Sequence, residues 1–200
     1  VKSLEVNPES GEIRDELERL HASLYEVDIT RKCVIFPDEA RATAFYGEAF
    51  QRAIDFIHFN GVDGDLYEFG VLAGWTTRLF AERLRDIRNP ASLYLFDSFA
   101  GLPRIKWEVD ERSFDEQRAV RAEEMELPEE LRATLGKPIE EHVRDQLATI
   151  IPRERIHMRK GFFSDTLKEK LPTKAAIVHL DCDLYQSTVE CFDALVRDDV

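Results

Sequence analysis

Apolar positions at helical spacing dominate the first part of the chain. They recur through "EIRDELERLHASLYEV", with Leu17 and Leu20 on one face, and again through "DEARATAFYGEAFQRAIDFIHFNG", which ends at Gly61. Side chains three and four residues apart share one helix face, and glycine favours helix ends. The pattern predicts an N-terminal helical segment, residues 1–61, followed by a second domain, residues 62–200.

Four short apolar runs in the second domain have the length of buried strands. They are "GDLYEFG", "SLYLFDSF", "RIHMRKG" and "AAIVHL". Amphipathic helical patterns, such as "GWTTRLFAERLRDI" and "STVECFDALV", follow the first and the last of them, and residues 104–151 are charged and helical in pattern. A strand, a helix and a next strand at this spacing favour right-handed crossovers in a parallel sheet. We predict an α/β fold with a Rossmann-like, doubly wound parallel sheet.

The composition of the chain indicates which kinds of partner to expect and does not alter the predicted fold. The net charge of −13, from 27 basic and 40 acidic residues, disfavours nucleic acid and anionic membranes as partners. No apolar run approaches the roughly 20 residues that cross a bilayer. The three cysteines, Cys33, Cys182 and Cys191, lack zinc spacing and indicate reduced thiols in a cytoplasmic protein. Homo-oligomerisation is left open.

The first candidate binding feature is the turn between the first strand and its helix. "YEFGVLAGW" carries Gly70 and Gly74, which would let a ligand approach the backbone beside the free N–H groups of a helix N-terminus. Three residues separate the glycines, unlike the GxGxxG pattern of dinucleotide-binding proteins, and Glu68 would repel a pyrophosphate. The alternative is a tight turn with no ligand.

A second candidate is Asp97, which ends the strand in "LYLFDSF". A carboxylate at this place can accept both hydroxyls of a ribose. The alternative is a solvated aspartate at a strand end. Together with a glycine turn that has no phosphate cradle, Asp97 favours S-adenosylmethionine over NAD as the ligand.

Two carboxylates follow the fourth strand in "AAIVHLDCDLYQST". Side chains two residues apart on an extended chain point the same way, so Asp181 and Asp183 should lie together and Cys182 should point away. Neighbouring carboxylates repel unless a proton or a hard divalent cation relieves them. One acid can then hold the metal while the other accepts a proton from a substrate hydroxyl. The alternative is that one of the two acids caps the following helix and the other is solvated. His179, inside the apolar strand, is interpreted as a hydrogen-bonded core residue.

Four segments, in their order and spacing, resemble the macrocin O-methyltransferase (TylF-like) family over roughly residues 64–195. They are "YEFGVLAGWTTRLFA", "LYLFDSFAGLP", "GFFSDTL" and "VHLDCDLYQSTVECFDAL". The resemblance implies a class I methyltransferase fold, S-adenosylmethionine and magnesium as cofactors, and a small hydroxylated substrate such as a sugar of a secondary metabolite. It also implies cofactor contacts at Glu68, Gly70, Gly74, Asp97, Ser98, Phe162 and Asp165, a metal ligand at Asp181 and a general base at Asp183.

The chain departs from the family pattern in two ways. Cys182 and Gln186 replace a glycine and a glutamate of the usual "LDGDLYEST", which leaves both acids in place. The family also has a further strand whose two acids complete the metal site, and the sequence ends at Val200 before it, so we expect C-terminal strands to be missing here. Two alternatives stay open: a non-catalytic S-adenosylmethionine-binding or interaction module with this fold, and a nucleotide-dependent oxidoreductase, which the absent GxGxxG disfavours.

Overall fold

The structure is a computed structural model that describes residues 26–28, 33–35, 39–104 and 137–200. The chain divides into two compact units, Val1–Ala49 and Phe50–Val200. No helix among the described residues is long and apolar enough to cross a membrane. The division predicted from the sequence, after Gly61, stays a prediction.

The N-terminal unit contains two short strands that the helical pattern did not predict. Strand β1 (Glu26–Asp28) pairs antiparallel with β2 (Cys33–Ile35). The prediction of helix throughout residues 1–61 is therefore wrong here, because short runs with β-branched valine and isoleucine pair well as strands. Helix α1 (Glu39–Phe59) follows as predicted. Most of the helix predicted in residues 12–27 lies outside the described residues.

The second unit is built on a parallel sheet of four strands, as predicted. The strands are β3 (Asp65–Phe69), β4 (Leu93–Asp97), β5 (Ile156–Lys160) and β6 (Ala175–Leu180). Their order is β5-β4-β3-β6, and every neighbouring pair is parallel. The chain therefore runs outward from β3 to β5 and returns to place β6 on the other side of β3. Strand order reverses between β3 and β6, which is where doubly wound sheets bind ligands.

Helices connect and follow these strands. They are α2 (Trp75–Asp86), α3 (Ile139–Ala148), the single turn α4 (Phe163–Thr166) and α5 (Tyr185–Asp198), with a 3₁₀ turn at Arg153–Arg155. Helix α3 begins after Pro138 and carries Glu140 and Glu141 in its first turn, where acidic side chains favour the helix dipole. The helices predicted within residues 105–136 lie outside the described residues.

Apolar side chains cover both faces of the sheet. Leu93 and Leu95 of β4 belong to one buried cluster, with residues of α1, α2 and α3. Phe96, from the same strand, belongs to a second cluster that contains residues of α5. Because successive side chains of a strand point to opposite faces, a sheet with helices on both sides needs apolar residues at nearly every strand position. This explains the apolar run Leu93–Phe96 of the central strand β4.

Candidate functional site

A cavity of about 270 Å³ lies at the carboxyl ends of the four parallel strands. The loops that follow all four strands contribute to its wall, as expected at the place where strand order reverses. Its described lining residues are Gly70, Val71, Leu72, Ala73, Trp75 and Thr76 after β3; Asp97, Ser98, Phe99, Gly101, Leu102 and Pro103 after β4; Gly161, Phe162 and Phe163 after β5; and Asp181, Cys182, Asp183 and Ser187 after β6.

Gly70 makes room for the backbone of the neighbouring loop. Its φ is +91°, its N–H donates to the carbonyl oxygen of Phe96 at 2.9 Å, and a Cβ built on it would lie 2.0 Å from the carbonyl oxygen of Asp181. The N–H of Asp181 in turn donates to the carbonyl oxygen of Phe69 at 2.9 Å. A side chain at position 70 would therefore displace the backbone that carries one of the two acids.

Gly74 makes room for a helix. It is the N-cap residue of α2 with φ +77°, and a Cβ on it would lie 2.7 Å from Cγ1 of Val143 in α3. Gly74 is not among the described residues that line the cavity. Both glycines of the turn thus allow close packing within the protein, and the residues between them face the cavity.

Asp97 joins two of the cavity loops. Its Oδ2 accepts hydrogen bonds from the backbone N–H groups of Val71 at 2.7 Å and Leu72 at 2.9 Å, and its Oδ1 accepts one from Phe99 at 2.6 Å. Asp97 is therefore a structural acceptor at the cavity wall, not a freely solvated side chain. An ionised carboxylate has about four acceptor positions, so the hydrogen bonds among the described residues leave one position, on Oδ1, for a ligand.

Ser98 shapes the loop after β4. Its hydroxyl donates to the carbonyl oxygen of Gly101 at 2.5 Å and accepts from the N–H of Ala100 at 3.0 Å. The residue lines the cavity beside Asp97. Ser98 thus holds the turn that forms this wall.

Glu68 is buried beneath the cavity loops. It is 2 % exposed and is not among the described lining residues. Its Oε1 accepts from the hydroxyl of Thr76 at 2.5 Å and contacts Nδ1 of His179 at 3.0 Å, and its Oε2 accepts from the hydroxyl of Thr77. Glu68 therefore ties the first turn of α2 to strand β6.

His179 is hydrogen-bonded, as the sequence predicts, but it is only partly buried, with 20 % of its side chain exposed. Burial by itself lowers the pKa of its ring, but the hydrogen bond with Glu68 and the negative charges of Glu68 and Asp181 outweigh burial and raise that pKa. The ring also packs edge-on against Phe50, with centroids 5.2 Å apart. His179 thus contributes one of the hydrogen bonds that Glu68 makes inside the protein.

Only one of the two residues predicted to flank an adenine faces the cavity. Phe162 lines it and leaves 37 % of its surface exposed. The side chain of Asp165 is 68 % exposed and forms an ion pair with Lys168 at 2.7 Å, and Asp165 is not among the described lining residues. Phe163, which the sequence analysis missed, lines the cavity and packs edge-on against Phe69 at 5.9 Å.

Asp181 and Asp183 both open into the cavity. Both are exposed, whereas Cys182 between them is 6 % exposed, so the alternation predicted from the sequence is observed. The N-cap residue of α5 is Leu184, so neither acid occupies the cap position. Asp183 has a φ of +60°, which few residues other than glycine adopt.

The two carboxylates offer oxygen ligands of the kind that a divalent metal ion prefers. Magnesium in proteins is bound by one or two carboxylates and keeps several water ligands, so the donor atoms present fit a partial site. In the part of the chain that the structure describes, no cluster of three His, Cys, Asp or Glu side chains could hold a metal ion. Further protein ligands would have to come from elsewhere.

Backbone strain is concentrated in the cavity loops. Leu72, Phe99 and Asp183 have φ values of +49°, +50° and +60°, and all three line the cavity. Such conformations cost about 1–3 kcal/mol each in residues with a side chain and persist where surrounding contacts impose them. The hydrogen bonds of Asp97 to Leu72 and Phe99 supply two of these contacts. No sequence signal marks Leu72 or Phe99.

A family model and two curated relatives match the chain. The model of the macrocin-O-methyltransferase (TylF) family matches residues 47–198. The 8-demethyl-8-(2,3-dimethoxy-alpha-L-rhamnosyl)-tetracenomycin-C 4'-O-methyltransferase of Streptomyces olivaceus is 28 % identical over 147 residues, covering 73 % of this chain and 52 % of that protein. The demethyldecarbamoylnovobiocin O-methyltransferase of Streptomyces niveus is 28 % identical over 144 residues, covering 70 % of this chain and 50 % of that protein. The chain spans about half the length of these relatives.

A solved structure has a similar fold. The O-methyltransferase NovP superposes with a TM-score of 0.57 and 26 % sequence identity, over 76 % of this chain and 59 % of that protein. The superposition with NovP thus includes about three quarters of this chain.

Proposed function

Because the chain belongs to the macrocin-O-methyltransferase (TylF) family, we propose that the whole protein transfers a methyl group from S-adenosylmethionine to a hydroxyl of a small molecule, such as a sugar of a secondary metabolite. The observation that carries this proposal is the cavity at the reversal of strand order, into which Asp181 and Asp183 both open. The curated relatives, which are named as O-methyltransferases of a rhamnosyl-tetracenomycin and of a novobiocin precursor, support the substrate class.

The loops after β3, β4 and β5 would bind the cofactor. When bound, S-adenosylmethionine supplies a methyl group attached to a positively charged sulfur, which leaves readily. The remaining acceptor position on Asp97 Oδ1 can take one ribose hydroxyl without breaking a hydrogen bond of the protein. Phe162 presents an exposed aromatic face on the same wall, which suits the planar adenine. Glu68 and Gly74 would act indirectly, by holding the start of α2 in place.

Asp181 would hold the divalent ion. Magnesium at this position would lower the pKa of a substrate hydroxyl and fix its oxygen. The main chain of Asp181 is held by its hydrogen bond to Phe69 and by the close approach to Gly70. The position of its carboxylate is therefore set by the end of β3 as well as by its own loop.

Asp183 would accept the proton. It stands on the cavity wall two residues from Asp181, with its backbone in a restricted conformation. A carboxylate that is positioned in this way can take the hydroxyl proton as the oxygen attacks the methyl group. Holding both reactants against fixed groups removes much of the entropy cost of a reaction between two molecules.

Binding and turnover experiments separate this proposal from its rivals. Calorimetry should show binding of S-adenosylmethionine and of its demethylated product, and no comparable binding of NAD. Transfer of labelled methyl to hydroxylated acceptors, measured with the whole protein and magnesium, tests catalysis. Binding of NAD in place of S-adenosylmethionine would overturn the proposal and favour an oxidoreductase.

A non-catalytic binding module is the second candidate. The observation that favours it is the lack of a three-ligand metal cluster in the described part of the chain. Such a module would bind S-adenosylmethionine but would transfer no methyl group to any acceptor, with or without magnesium. Methyl transfer that depends on magnesium would exclude it.

A further inference from the structure

Two cysteine thiols touch each other behind the pair of acids. The Sγ atoms of Cys182 and Cys191 are 3.8 Å apart, and both residues are buried, at 6 % and 0 % exposure. The thiol of Cys182 donates to the carbonyl oxygen of Phe69, with a separation of 3.4 Å. Since a thiol has one proton, Cys191 is then the donor in the contact between the two sulfur atoms. Disulfide sulfurs lie about 2.05 Å apart, so a shift of less than about 2 Å would join the pair.

The two thiols differ in their position relative to the cavity. Cys182 is among the described residues that line the cavity, whereas Cys191 is fully buried in the apolar cluster that contains both cysteines. The hydrogen bond with Cys182, together with burial, raises the pKa of the Cys191 thiol. The arrangement thus gives Cys182 the first step and Cys191 the second.

We propose that Cys182 and Cys191 are a modification site that forms a reversible disulfide, with hydrogen peroxide as the oxidant. The Cys182 sulfur attacks one peroxide oxygen, the O–O bond breaks, and the thiol proton leaves with the other oxygen as water. The Cys191 sulfur then attacks the sulfur of the resulting sulfenic acid. The S–O bond breaks, and the Cys191 proton leaves with the hydroxyl group as a second water. The two sulfurs lose two electrons in total, and the peroxide gains them.

The disulfide would move the acids of the candidate site. Cys182 is the residue between Asp181 and Asp183, so drawing its sulfur toward α5 would pull on the backbone segment that carries both carboxylates. Asp183 already has a restricted backbone conformation, which leaves it little freedom to compensate. This consequence rests on the proposed function, and it predicts that oxidation lowers methyl transfer and that a dithiol reductant restores it.

Peptide mapping of the folded protein tests the site without measuring activity. The protein is treated with hydrogen peroxide, its remaining thiols are alkylated, and it is digested. Residues 175–197 contain no Lys or Arg before Arg197, so trypsin leaves both cysteines in one peptide, and further cleavage after Glu190 separates them. We expect two fragments that stay joined until a reductant is added. Separate fragments with alkylated or over-oxidised cysteines, or a link to Cys33, would overturn the proposal.

Two variants sharpen the mapping. In Cys33→Ser the third cysteine is absent, and the joined fragments should form as before. In Cys33→Ser with Cys191→Ala no joined fragments can form, and the sulfenic acid of Cys182 should instead be trapped by dimedone. Joined fragments that appear only after the protein is unfolded would also count against the site.

The effect on the acids has a separate readout. Peroxide should reduce methyl transfer by the Cys33→Ser protein, reversibly, and should reduce it less when Cys191 is also alanine. If the joined fragments form but the rate of methyl transfer is unchanged, the disulfide is confirmed and its proposed effect on Asp181 and Asp183 is wrong. If the reduced protein transfers no methyl group, the proposed function fails, and the mapping still decides whether the disulfide forms.

Discussion

Replacing Gly70 by alanine should destabilise the fold through the loop that carries Asp181. The new Cβ would lie 2.0 Å from the carbonyl oxygen of Asp181, so that loop has to move by more than 1 Å. Overpacking of this kind costs about 1–3 kcal/mol, and a side chain at a positive φ costs about 1–3 kcal/mol more. We therefore expect Gly70→Ala to lower the free energy of unfolding by ~2–6 kcal/mol in urea titrations, a large share of the ~5–15 kcal/mol typical of a domain.

Two other glycines provide matched controls for this prediction. Gly61 also has a positive φ, +62°, but no atom lies within 4 Å of a Cβ built on it, so Gly61→Ala isolates the backbone cost. Gly47 lies inside α1 with open space around its Cβ position, and Gly47→Ala should be neutral or stabilise the helix by up to ~1 kcal/mol. If Gly70→Ala costs no more than Gly61→Ala and only weakens cofactor binding, Gly70 makes room for a ligand and the packing argument is wrong.

Three further outcomes follow from single residues. Asp97→Ala should weaken S-adenosylmethionine binding, measured by calorimetry, by roughly ten- to a hundred-fold, which is the effect of losing one hydrogen bond to a charged group. An unchanged affinity would show that Asp97 does not bind the cofactor. Glu68→Gln should cost ~1–3 kcal/mol of stability in urea titrations, because one buried hydroxyl or ring loses its charged partner; a variant as stable as the original would show that the network contributes little. The hydrogen bonds from Arg197 and from the N–H of Leu171 lower the pKa of Asp198 to about 2, so its contribution to stability should be complete above about pH 4 and lost as the pH falls through 2. Asp198→Asn should flatten the fall in melting temperature over that interval, and an equally steep fall would contradict the assignment.

The sequence predicts those features that depend on local periodicity. The apolar runs identify all four parallel strands, and the fold, of the class I methyltransferase type, is confirmed by the sheet order and by the similarity to a solved O-methyltransferase. The predicted alternation of exposed Asp181, buried Cys182 and exposed Asp183 is also observed, although β6 already ends at Leu180 and the backbone of Asp183 is left-handed, with a φ of +60°. The membership of the TylF family inferred from the resemblance is confirmed by the family match.

The features that the sequence does not reveal depend on partners far away in the chain. An acid beside a glycine turn suggests a ligand contact, but Glu68 turns inward because His179, on the adjacent strand, and Thr77 offer it donors. Gly74 similarly accommodates the side chain of Val143, which belongs to α3 and is far from Gly74 in the sequence. Such contacts are decided by tertiary packing, for which one sequence offers no pattern.

The methyl-transfer rate of Asp183→Asn across pH, with Asp181→Asn as its matched control, tests the central claim most directly. In the whole protein at saturating substrates, loss of the positioned base should lower the maximal rate by ~10²–10⁴-fold and remove a rise of the rate with pH, while S-adenosylmethionine binding stays nearly unchanged. Asp181→Asn should instead regain part of its activity as magnesium is raised. Near-normal rates and unchanged pH profiles in both variants would contradict the assignment of the two acids to catalysis.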